Sequence, residues 1–172
     1  MIRRIPVVGG LAGGIGTTSV SRALYARDLG VVSGSGVLPD VLLCRDTVSG
    51  LATAARIAPG PGAGPGGPVL AIHPRSAEPD GVDADAAGTG WAAVVALPWV
   101  PGWSRSADPW ADAAAVLGQK TPSAAVRRYA EALGRIVDAL VAGGRLDRSL
   151  VPRHRGQLRP VRGVVLRTGS GR

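Results

Sequence analysis

At 172 residues, 45% of them hydrophobic, the chain has room for one domain with a sizeable core but not for two. No apolar run approaches the roughly 20 residues of a bilayer span, and a single cysteine, Cys44, excludes a disulfide framework or a thiolate metal cluster. The net charge of +8 is concentrated at one end: Met1–Gly144 carries 12 Lys/Arg against 11 Asp/Glu, whereas Arg145–Arg172 carries eight arginines and the single acid Asp147.

Two arginines open the chain, but the apolar stretch behind them breaks at Gly9-Gly10, too short for a signal peptide. A cytoplasmic location is expected. Residues 2 to 8 read as a buried strand that enters a glycine-rich turn, GGLAGGIGTTS (Gly9–Ser19). A helix is expected to follow from Gly16 to about Leu29, stopped by Gly30. Strand, glycine turn and helix together expose backbone N–H groups and the positive end of a helix dipole to an anion. VVSGSG (residues 31–36) reads as a flexible connection.

Val41-Leu42-Leu43-Cys44 is the core of the next strand. Its unbroken apolar character suits a parallel strand covered on both faces. A short helix is expected over Ser49–Ala58. The stretch PGPGAGPGGP (Pro59–Pro68) reads as low-complexity linker that does not pack. Val69–Ile72 is a third strand and Trp91–Leu97 a fourth, with a loop and one helical turn between them. Asp108-Pro109 starts a helix over Trp110–Leu117. Thr121-Pro122 opens the clearest helix, to about Ala142, with Val126, Tyr129, Leu133, Val137 and Leu140 on its apolar face. Alternating strands and helices predict a three-layer α/β sandwich with a mainly parallel sheet, formed by one domain (1–144) with an Arg-rich tail (145–172).

A working phosphate loop has the form G-x-x-x-x-G-K-[ST], its lysine meeting the phosphates and its hydroxyl a magnesium ion. Aligned on Gly16, this chain has Leu11, Thr17 and Thr18 at the first glycine, the lysine and the hydroxyl. Around the loop it resembles the ParA/MinD-type partition ATPases, whose loop reads K-G-G-x-G-K-T-T. The glycines and trailing hydroxyls match, and Ala12 and Thr17 replace both lysines. Pro39–Thr47 is similar to that family's hydrophobic strand ending in Asp-Thr.

The resemblance implies a P-loop-like fold. It also implies nucleotide contacts from Gly13, Gly14, Gly16, Thr17, Thr18 and Ser19, and a magnesium site at Thr18 and Asp46 if ATP is bound. With both lysines gone, turnover is expected to fall about 10³-fold or more, leaving a pseudo-ATPase that acts by binding. On this alignment the strand after the first helix has shrunk to the VVSGSG connection.

Gly10–Gly16 also looks like the cofactor turn of short-chain dehydrogenases, with Leu43–Asp46 as a second strand ending near the ribose. That alternative is Rossmann-like. Its reaction needs a lysine four residues after a tyrosine, yet Leu29 follows Tyr25 and Leu133 follows Tyr129, so this chemistry is excluded. A ligand-free scaffold is the third reading.

Other residues carry weaker signals. His73 and His154 are too few for a metal set. Trp99, Trp103 and Trp110 follow the fourth strand and could meet a base or a partner protein. In the tail, Arg153, Arg155, Arg159, Arg162 and Arg167 suit DNA phosphates or another polyanion.

Overall fold

The computed structural model describes residues 5–33, 36, 38–77 and 84–146. Five parallel strands form one sheet: β1 (Val7–Gly10), β2 (Arg27–Val31), β3 (Val41–Arg45), β4 (Val69–His73) and β5 (Ala93–Ala96), in the order β2-β1-β3-β4-β5. The expected strands all lie parallel in it. Val8 pairs with Val41, Val41 with Val69 and Val69 with Ala93, so the apolar runs stand side by side.

Helices cover both faces, as expected of strands without polar alternation. α1 (Thr17–Leu24) and α4 (Ala124–Ala142) bury Val20, Ala23, Leu133, Ile136 and Leu140 against Val8, Val41, Leu43 and Val69. On the other face α2 (Val48–Ile57) buries Leu51 and Ala54 against Leu42, Cys44, Leu70 and Ile72. α3 (Pro109–Ala115) lies beside α1. No helix among the described residues is long and apolar enough to cross a membrane.

Several boundaries differ from the sequence reading. The first helix ends at Leu24, not Leu29, because Tyr25 turns left-handed (φ 52°) and donates its N–H back to Arg22 and Ser21. The chain then forms β2, so the strand has not shrunk to the VVSGSG connection. Asp46 therefore follows the third strand, not the second that the dehydrogenase alignment requires. β1 likewise runs on into Gly9 and Gly10.

Helix caps refine the other boundaries. Asp108 caps α3 as expected, accepting from the Ala111 N–H at 2.9 Å. Ser123, not Thr121, caps α4, accepting from the Val126 N–H at 3.3 Å. Thr47 caps α2 through the Gly50 N–H at 3.0 Å.

The glycine-proline stretch does pack. Gly60 donates to Thr89 O at 3.2 Å, and a side chain on Gly90 would run into the Gly60 backbone. Glycine here permits backbone to touch backbone, which composition alone does not reveal.

At the amino ends of the strands, the buried Asp40 carboxylate joins distant segments. It accepts from the Val7 N–H at 3.0 Å and from Arg145 Nη1 at 2.8 Å, and Arg145 Nε also donates to Gly66 O at 2.7 Å. Arg145 thus belongs to the folded unit. The five tail arginines from Arg153 to Arg167 lie outside the described residues.

Candidate functional site

In this strand order the chain leaves β1 for β2 on one side and then crosses back past β1 to form β3 on the other. Ligands of open α/β sheets bind in the crevice at such a switch point, outside the carboxyl ends of the strands. Here the crevice lies between the glycine loop after β1 and Arg45-Asp46 after β3.

The loop is pinned on both sides. Ile15 is 1% exposed in the cluster under α1 and α4, while Leu11 packs on the α2 side and donates its N–H to Leu43 O at 3.0 Å. Gly13 and Gly14 form the exposed tip. Gly16 is left-handed (φ 87°) and starts α1, and a Cβ there would lie 3.0 Å from the His73 ring. Gly10 has no space for a side chain beside Thr17 Oγ1 and Ile15.

Thr17 is buried and Thr18 and Ser19 are half-buried in the first turn of α1. That turn holds no acidic residue, and Gly16 provides no side-chain cap. The helix N-terminus thus presents backbone donors rather than a capping carboxylate.

Cationic character at the loop comes from another strand. Arg45, at the end of β3, donates from Nη2 to Gly14 O at 2.7 Å. The next residue has a partner of its own: Asp46 Oδ1 accepts from the Arg75 N–H at 3.0 Å and lies 3.7 Å from Arg75 Nε. Thr18 Oγ1 donates to Asp28 Oδ2 on β2 at 2.8 Å. Thr18 and Asp46 thus have separate partners. No cluster of three His, Cys, Asp or Glu among the described residues suits a metal ion.

His73 closes β4 against Gly16. Its Nδ1 carries the proton, since it lies 2.9 Å from Pro74 O and a carbonyl can only accept. Burial lowers its pKa, and Arg45 works in the same direction, against the Pro74 contact and Asp46. Cys44 is buried, and desolvation with the Asp46 charge raises its pKa to about 12, so it offers no thiolate nucleophile.

The three tryptophans occupy different surroundings. Trp103 meets Tyr129 edge to face with centroids 4.7 Å apart, Trp110 is 54% exposed, and Trp99 lines a groove beside Asp46. Sequence reading missed Asp28, the partner of Thr18, and Arg75, the partner of Asp46. Arg128, Glu131 and Arg135 also escaped it, although their spacing of three and four is the signal that groups them on one face of α4. No protein-family model, curated protein or solved structure matches this chain.

Proposed function

We propose that this chain is a degenerate ParA/MinD-like protein that holds a nucleotide phosphate at its glycine loop and acts by binding rather than by turnover. The observation that carries the reading is the Arg45 guanidinium on Gly14 O, which keeps positive charge beside a loop without lysines. The left-handed Gly16 and the uncapped first turn of α1 support it, since backbone donors can meet an anion there.

In this reading the protein serves plasmid or chromosome partition or transfer. The basic segment after Arg145 contacts DNA, and a partner protein meets the surface that carries the exposed Trp110. ATP is the expected nucleotide, with magnesium arriving as part of the nucleotide complex. The Rossmann-like alternative uses the same crevice for a dinucleotide.

Calorimetric titration of the full chain with Mg-ATP, ADP and NAD, alongside a phosphate-release assay, tests the reading. ATP or ADP should bind, Arg45→Ala should weaken that binding about tenfold, and phosphate release should stay at the buffer level. Turnover abolished by Asp46→Ala would overturn the proposal, as would wild-type protein that binds neither ATP nor ADP. Binding of NAD alone would favour the dinucleotide alternative.

A further inference from the structure

A groove of about 690 Å³ opens at the carboxyl ends of β4 and β5 and borders α4. Small-molecule sites typically occupy about 300–1,000 Å³. Three kinds of side chain line it. Ile72, Leu97 and Pro98 make it apolar, Trp99 adds a half-buried indole, and Arg128 and Arg135 bring two guanidinium groups. The arginines stand seven residues apart, two turns or about 10 Å along one face of α4.

Both guanidiniums are exposed, and neither forms a salt bridge among the described residues. Glu131 stands between them on the same face without pairing to either, so the three side chains leave a net charge of +1 on the groove. Asp46 also borders it, but Arg75 already engages that carboxylate.

A lone arginine on a helix is an ordinary solvated residue. Here two of them share a concave, largely apolar site with an aromatic ring. Unpaired guanidiniums beside apolar surface favour an oxyanion, which they can grip with two hydrogen bonds. The indole offers a face for a flat ring. The Glu131 carboxylate, an acceptor only, suits hydroxyl or amino donors on the same molecule.

We propose that this groove is a binding site for a nucleoside monophosphate, with the phosphate on Arg128 and Arg135, the base against Trp99, and a hydroxyl or amino donor on Glu131. It is a second site, adjoining the loop crevice at Asp46, and does not rest on the reading of the glycine loop.

Titration of the full chain with AMP, GMP, CMP and UMP, followed by calorimetry and tryptophan fluorescence, tests it. At least one of the four should bind to wild-type protein and change the fluorescence. The Arg128→Gln/Arg135→Gln double variant should bind it about tenfold or more weakly. The exposed positions of both arginines should leave its melting temperature unchanged. Arg45→Ala, at the glycine loop, should bind it as wild type does. Failure of all four to bind would overturn the proposal. So would binding unaffected by the arginine pair, or binding weakened by Arg45→Ala, which would assign the ligand to the loop.

Discussion

Replacing Arg145 with alanine should cost more stability than its place at the end of the last helix suggests. The Asp40 side chain is 0% exposed and that of Arg145 is 23% exposed, so the pair lies mostly away from water. Without the guanidinium, the buried carboxylate loses a charged 2.8 Å hydrogen bond, and Gly66 O loses its 2.7 Å donor. Removing one partner of a buried pair costs about 3–5 kcal/mol. Water can reach the Arg145 side, so about 3 kcal/mol is the better expectation. At about 2–4 °C per kcal/mol for a chain of this size, Tm should fall by about 6–12 °C. Urea unfolding of wild type, Arg145→Ala, Asp40→Asn and the double variant measures the coupling directly. The exposed Arg127→Ala is the control, expected within about 0.5 kcal/mol of wild type. If Arg145→Ala also unfolds within 0.5 kcal/mol of wild type, the ion pair does not hold the strand ends together.

Three further outcomes are expected. Gly16→Ala combines a left-handed backbone with a Cβ 3.0 Å from the His73 ring. It should lose about 1–3 kcal/mol in urea unfolding, and wild-type stability would show that the turn relaxes freely. His73 has a folded-state pKa below its ordinary 6.5, so the unfolded chain takes up the proton first. Its contribution should be complete above about pH 6.5 and be lost as pH falls through the window down to the folded value. Unfolding midpoints at pH 7.5 and 5.5 should therefore differ less in His73→Gln than in wild type; an equal difference would assign the pH dependence elsewhere. Tyr129 buries a hydroxyl that has no hydrogen-bond partner among the described residues, so Tyr129→Phe should be neutral or raise stability by about 1 kcal/mol. A loss above 1 kcal/mol in its melting curve would reveal a partner for that oxygen.

The strands legible in the sequence are those whose neighbours cover them. Val41–Cys44 and Val69–Ile72 are wholly apolar because β3 and β4 lie inside the sheet with helices on both faces. β2 escaped notice for the opposite reason: Arg27-Asp28-Leu29-Gly30-Val31 is exposed throughout, and Asp and Gly are poor strand formers. Only its pairing with β1 makes it a strand. In the site, the turn itself was legible from its glycines. The contacts of Asp46 with Arg75 and of Thr18 with Asp28 were not. They arise because parallel strands bring loop residues together across a sheet, and no local spacing encodes that register.

The Asp40 carboxylate also determines where the molecule can be held. Val7 and Arg145, near the two ends of the described chain, bind opposite oxygens of this one group, at the pole where the strands begin. The glycine loop and the Trp99 groove lie at the pole where the strands finish. An affinity tag, a fluorescent protein or a surface tether at either end of the folded unit therefore leaves from the far side. Both crevices face away from an anchor placed in this way.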